Sequence, residues 1–183
     1  MLDFYLYCLR FHPGLIKFAF TVLFNLARYK MCRISESEFE ALAKKYASEA
    51  VRMCPDAENL AQRFWKSHAK HLNLFYEGVK RADDVAVSAG FGFLLSPAFE
   101  ILGVKRYVCS EIDLETGEIT RICFGKNKVK CFAESFCREQ VEDFYTDSMN
   151  DLPFMKLARN DVYMVKRGVP HKISNQLPAK GFD

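Results

Sequence analysis

Through roughly the first eighty residues, apolar positions recur every three or four, the period of a helix with one buried face. The aromatic-rich start (Phe4, Tyr5, Tyr7, Phe11) is separated from the next segment by Pro13-Gly14. Leu15 to about Lys30 reads as a helix. Ser35 with Glu38 three residues on is a capping-box signature. It opens a second helix whose apolar positions are Phe39, Leu42, Ala43 and Tyr46. Pro55-Asp56 interrupts the pattern. From Ala57 to about Lys80 the chain again reads as helix, with Leu60, Phe64, Trp65, Leu72 and Phe75 as core candidates.

At Asp84 the period changes. Val85-Ala86-Val87 is a short strand, followed by a small-residue loop, Ser88-Ala89-Gly90-Phe91-Gly92. Ser96-Pro97 opens a helix carrying Phe99, Ile101 and Leu102, and Gly103 closes it. Tyr107-Val108-Cys109 is a second strand, and Ile112 and Ile119–Ile122 flank a Glu115-Thr116-Gly117 hairpin turn. Gly125-Lys126-Asn127-Lys128 leads into a helix through Val129, Phe132, Phe136 and Cys137. Val141–Tyr145 and Asp161–Val165 read as strands, and the tail with Pro170 and Pro178 as loop. Strands that alternate with helices predict an α/β fold, a mostly parallel sheet with helices on both faces.

Composition narrows the class. Half of the 183 residues are apolar, enough for a real core. Lys and Arg number 26 against 23 acids, and no basic stripe interleaves with aromatics, so no nucleic-acid partner is expected. Seven cysteines, at 8, 32, 54, 109, 123, 131 and 137, form no CxxC pair. Reduced thiols in a cytoplasmic protein are the simplest account. His68 and His71 lie one helical turn apart, a spacing open to a metal or to a solvated face. Leu15–Leu26 is strongly apolar but shorter than the twenty or so residues a bilayer span needs. It lacks the flanks of a signal peptide, so a buried or partner-facing helix is expected and a membrane is not.

Three polar clusters in the second half could carry chemistry. Ser88 follows a strand, Lys128 starts a helix, and Asp147 and Asp151 sit on one tight loop, Tyr145–Pro153, after a strand. Strand ends of a parallel sheet gather on one edge, where such folds bind ligands. A hydroxyl, an ammonium and carboxylates suited to Mg²⁺ would together form a phosphoryl site. Singly, each has a plain structural reading: a cap, a surface lysine, a capped turn.

The segments Asp84–Ala89, Gly125–Val129 and Tyr145–Pro153 resemble the second, third and fourth motifs of the haloacid dehalogenase superfamily, closest to its phosphoserine phosphatase-like branch. The helix from Leu94 to Gly103 and the Glu111–Thr120 hairpin are similar to that branch as well. The resemblance implies a Rossmann-like parallel-sheet core over about 76–183 and an N-terminal helical cap over 1–75. It implies that Ser88, with Ala89, binds phosphoryl oxygens and that Lys128 bridges nucleophile and phosphate. Asp147 would bind Mg²⁺, with Asp151 supporting the metal or the lysine. The branch often has Ser-Ala-Ser-Pro where this chain has Ser88-Ala89-Gly90-Phe91.

One departure bears on mechanism. The family's first motif, Asp-x-Asp-x-Thr after a buried strand, is missing, so no nucleophile and no first core strand can be assigned. Asp3 is no substitute, since no strand precedes it and residues 5 and 7 are both Tyr. The expectation is a Mg²⁺-dependent phosphomonoester hydrolase acting on a small phosphorylated metabolite, its sequence truncated at the N-terminus and inactive as it stands. The alternative is a non-catalytic descendant that binds phosphate or Mg²⁺, and a third reading is a membrane-associated or partner-binding helical protein.

Overall fold

The computed structural model describes residues 2–31, 35–72 and 75–176. Helices α1 (Leu2–Cys8), α2 (Ile16–Lys30), α3 (Glu36–Arg52), α4 (Ala57–His68) and α5 (Phe75–Val79) make up the first part. The capping box that opens α3 is formed. Ser35 Oγ accepts from the Glu38 amide at 3.2 Å, and the Ser35 amide donates to Glu38 Oε2 at 2.8 Å. The expected helix from Ala57 to Lys80 is interrupted. It breaks into a 3₁₀ turn at Ala69–His71 and resumes as α5. The side chains of Phe39 and Ala43 lie outside the described residues.

The second part holds β1 (Val85–Phe91), α6 (Gly92–Leu102), β2 (Arg106–Ile112), β3 (Ile119–Arg121), α7 (Asn127–Ala133), β4 (Phe144–Thr146), α8 (Leu152–Met155), β5 (Val162–Lys166) and β6 (Val169–Lys172). The fold is α/β, but the strands form two three-stranded sheets rather than one. In the first, β1 pairs parallel with β2, and β3 returns antiparallel. In the second, β4 pairs parallel with β5, and β6 returns antiparallel. The second hairpin falls where the sequence pattern suggests loop. Arg167 and Gly168, both at positive φ, make its turn, and Pro170 sits in β6, the outer strand of its sheet, where a missing N–H costs no pairing. Among the described residues, β1 and β4 each keep one edge unpaired.

Three apolar clusters hold these parts together. The first joins Phe4, Cys8, Leu15, Cys54, Leu60 and Phe64 to Leu94 of α6, so the N-terminal helices pack on the α/β part. Leu60 is fully buried, worth about 2 kcal/mol of apolar transfer. Trp65 adds polar register, donating from Nε1 to the Leu94 carbonyl at 2.7 Å. The second cluster lies under β5 with Met155, Ala158, Val162 and Met164, and the third joins Val108, Cys123 and Cys131 beneath β1 and β2. His68 is half-buried, and the side chain of His71 lies outside the described residues. The His68 ring stacks on Phe64 with centroids 4.2 Å apart, and its Nδ1 lies 2.8 Å from the Phe64 carbonyl.

The starts of β1 and β4 are tied by one residue. Arg81 places its guanidinium 3.1 Å from Glu142 Oε2 and 3.1 Å from Asp143 Oδ2. Farther along, α7 packs against β1, and its Phe132 ring meets Phe154 of α8 edge-on at 5.1 Å. Contacts therefore link the parts built on the two sheets at both places.

Candidate functional site

The chain after β4 folds into a tight polar knot. Thr146, the last residue of β4, is buried, and its Oγ1 accepts from the Ser148 amide at 3.1 Å. The same hydroxyl donates to Asp151 Oδ2 at 2.7 Å. Ser148 accepts from the Asn150 amide at 3.2 Å and so caps the 3₁₀ turn Met149–Asp151. These local bonds carry the chain from strand to helix within a few residues, and they turn the Asp151 carboxylate inward, where it is 8 % exposed.

Lys128, in the first turn of α7, meets it there. Its Nζ lies 2.6 Å from Asp151 Oδ1, with the two side chains 14 % and 10 % exposed. Asp151 thus has one oxygen on an ammonium and the other on a hydroxyl. A buried charge pair persists only when its remaining bonding capacity is met in this way. Of the three N–H donors on the lysine, one is engaged by Asp151.

Ser88 lies within β1 rather than beyond it. The register against β2 is regular from Val85 to Val87, resumes at Phe91, and is irregular between them. Ser88, Ala89 and Gly90 occupy that irregular stretch, so the small residues read as a loop are a distortion inside a strand, a device common beside functional sites. The following helix accordingly begins at Gly92, and Pro97 lies inside it rather than at its first turn. Ser88 Oγ accepts from the Gly90 amide at 3.1 Å, which leaves its own proton available to another acceptor. The Ala89 carbonyl is held by Ser110 Oγ at 2.9 Å, and the same Ser110 oxygen accepts from the Cys123 amide at 2.9 Å. Ser110 therefore joins β1, β2 and the approach to α7. The Cys123 thiol beside it is pushed up to about 12, first by burial and next by the neighbouring Cys131, so it stays protonated at neutral pH.

Asp147 is exposed, and no hydrogen bond or ion pair holds its carboxylate among the described residues. An uncommitted carboxylate at a strand end suits a hard cation such as Mg²⁺, which takes one or two carboxylates and keeps waters. Asp151 fits a direct metal role less well, because both its oxygens are taken. Among the described residues, the group of three that could hold a metal lies elsewhere, at His12, Cys54 and Asp56.

Of the residues singled out from sequence, Lys128 and Asp151 are brought into contact, and Asp147 lies four positions before Asp151 on the same knot. Ser88 and Ala89 stand on the neighbouring β1, against which α7 packs. Thr146 and Ser110 were missed. Thr146 immediately precedes Asp147, and a lone hydroxyl directly after the apolar pair Phe144-Tyr145 is the signal that could have found it. Nothing in the Val-Cys-Ser run of β2 marks Ser110, whose role depends on two distant backbone partners.

The family model described as haloacid dehalogenase-like hydrolase matches residues 2–156 of this chain. Comparison with curated proteins and with solved structures found no match.

Proposed function

This chain belongs to the haloacid dehalogenase-like hydrolase family, and from that premise we propose that its Ser88–Lys128–Asp151 edge serves phosphomonoester hydrolysis. The substrate class is a small phosphorylated metabolite, the cofactor is Mg²⁺, and the branch is the phosphoserine phosphatase-like one. Residues 1–75 would be the cap and 76–183 the core.

The observation that carries this reading is the chain Lys128–Asp151–Thr146, with bonds of 2.6 and 2.7 Å. It fixes a positive charge in a part-buried place beside the end of β4, so little reorganisation is needed when an anion arrives. Lys128 would hold one phosphoryl oxygen with a free N–H. Ser88 Oγ–H and the Ala89 amide would hold the others from β1. Asp147 would hold Mg²⁺, which when bound adds positive charge at the phosphoryl oxygens.

The attacking carboxylate is not assigned to any residue of this sequence, which holds no Asp-x-Asp-x-Thr. An aspartyl-phosphate route would draw it from outside these residues. The unpaired edges of β1 and β4 are where a strand carrying it would pair. The test is to fuse a strand ending in Asp-x-Asp-x-Thr ahead of the chain and to follow phosphate release from p-nitrophenyl phosphate with and without Mg²⁺. Turnover in the fusion but not in the chain alone supports the reading, and a folded fusion without turnover counts against it. A second reading is favoured by the same missing motif: a non-catalytic module that binds phosphate and Mg²⁺ at this edge. It predicts saturable phosphate binding that needs Lys128, with a silent fusion.

A further inference from the structure

Helix α2 carries large apolar side chains that nothing among the described residues covers. Ile16 is 59 % exposed, Phe20 78 % and Phe24 64 %, and Met31, one residue past the helix end, is 60 % exposed. At about 100° per residue, these four fall within an arc of about 80°. Exposed Ala27 falls inside that arc and breaks nothing. Met31 stays in helical register, its amide donating to the Ala27 carbonyl at 2.9 Å. The result is one apolar stripe, about 22 Å long at helical rise, on a helix whose other side holds buried Asn25 and meets α3. Scattered exposed apolar residues are ordinary, but four large apolar side chains aligned on one helix face, two of them phenylalanines, mark a contact surface.

The charges on α2 itself have one sign, although Glu38 of the adjoining α3 lies close enough to Arg28 to feel its charge. From Pro13 to Ile34 the sequence has Lys17, Arg28, Lys30 and Arg33 and no Asp or Glu. Lys17 and Arg28 fall about 20–40° beyond the Phe24 edge of the stripe on the helical wheel. The Arg28 guanidinium lies 5.8 Å from the centre of the Phe24 ring, so a cation and the apolar stripe share one surface. A second copy docked through the same helix would set the cations of one α2 against those of the other. Apolar rings flanked by cations are instead complementary to an anionic bilayer surface, where rings enter the acyl boundary and cations meet headgroups.

We propose that α2 docks this protein in the plane of an anionic membrane surface through Ile16, Phe20, Phe24 and Met31. Lying on a bilayer needs no spanning length, so it is compatible with the finding that no helix among the described residues is long and apolar enough to cross one. The proposal is independent of the phosphatase reading.

The test is co-sedimentation of the full chain with phosphatidylcholine vesicles, with and without about a third phosphatidylglycerol, beside analytical ultracentrifugation without lipid. Binding is expected with the anionic vesicles, weakened by salt, and cut about ten-fold or more by Phe20→Glu. Phe20→Ser is the milder companion variant, and unchanged circular dichroism shows that either is folded, since Phe20 supports no buried contact. Lys17→Glu with Arg28→Glu should weaken anionic binding and leave the secondary structure unchanged. No binding to anionic vesicles, or binding indifferent to Phe20 and to the cations, overturns the proposal. A lipid-free dimer that Phe20→Glu dissociates, with no vesicle binding, overturns it in favour of a self-association surface.

Discussion

The Lys128 ammonium lies 2.6 Å from Asp151 Oδ1, while Thr146 Oγ1 donates to the other oxygen of the same carboxylate at 2.7 Å. One side chain comes from the start of α7 and the other from the knot after β4, so this bond also links the two half-sheets. Removing one partner leaves a buried charge without compensation, which costs about 3 kcal/mol or more. Asp151→Asn and Lys128→Ala should each destabilise the fold by that amount, read as a lower urea midpoint. Lys128→Met with Asp151→Leu should recover much of the loss. Additive losses in the double variant would mean that the pair is not coupled.

If the edge binds phosphate as proposed, function and stability separate at Asp147. Its carboxylate is exposed and makes no bond among the described residues, so Asp147→Asn should shift stability by no more than about 0.5 kcal/mol. In the fusion that supplies the first motif, the same change should abolish Mg²⁺-dependent phosphate release. Retained turnover would remove Asp147 from the metal site.

Two glycines at similar positive φ should respond differently to alanine. Gly103 (φ 71°) ends α6 and has open space where a Cβ would go. Gly117 (φ 73°) turns the β2–β3 hairpin, and a Cβ there would stand 2.8 Å from the Ser48 carbonyl oxygen of α3. The backbone strain alone is worth about 1 kcal/mol, so Gly103→Ala should cost about that. Gly117→Ala should cost about 2–3 kcal/mol, because backbone cannot step aside as a flexible side chain can. It should also loosen the bond from Arg52 Nε to the Thr116 carbonyl, 2.9 Å in this fold. Equal melting temperatures for the two variants would contradict the packing of the hairpin on α3.

Tyr76 gives a pH dependence with a definite sign. Burial first, and the Asp84 carboxylate that its hydroxyl meets at 3.1 Å next, push its ionisation from 10.0 up to about 12. A group whose folded value is raised stabilises the fold below its unfolded value and loses that contribution as pH rises. Stability should therefore fall between about pH 10 and pH 12, and part of that fall should vanish in Tyr76→Phe. A variant with an unchanged alkaline profile would assign the loss to other groups.

The thiols should separate by access. Cys137 is exposed, although its bond to Glu139 raises its ionisation somewhat. Cys8, Cys109, Cys123 and Cys131 are buried and raised by their surroundings, Cys8 by its bond to Cys54 ahead of burial and the other three first by burial. Peptide mapping after brief iodoacetamide treatment of the native chain at mild alkaline pH should find Cys137 labelled well ahead of those four. Rapid labelling of Cys123 would show that the layer beneath β1 and β2 opens readily.

Much of the architecture was legible in local pattern. Helical periodicity marked α2, α3 and α4, and the Ser35–Glu38 pair placed the start of α3, because capping and amphipathicity depend on neighbours three or four residues apart. Gly103 and the Glu115–Gly117 turn were legible for the same reason, since their backbone demands are local. The segments that carry the family resemblance lie in one sequence, and so they named Ser88, Lys128, Asp147 and Asp151 without coordinates.

What the tertiary structure alone decided is which of these residues meet. Lys128 and Asp151 are 23 positions apart, and only the packing of α7 against β1 and α8 brings them within bonding distance. Ser88–Gly90 look like loop residues because they are small, yet pairing with β2 carries them through an irregular stretch of strand. Pairing energy belongs to both partners, and a single strand's sequence holds only half of it. Exposure obeys the same rule. The Leu15–Leu26 run read as a buried or partner-facing helix, and only its packing leaves Phe20 and Phe24 in the open, because burial belongs to the neighbours as much as to the side chain.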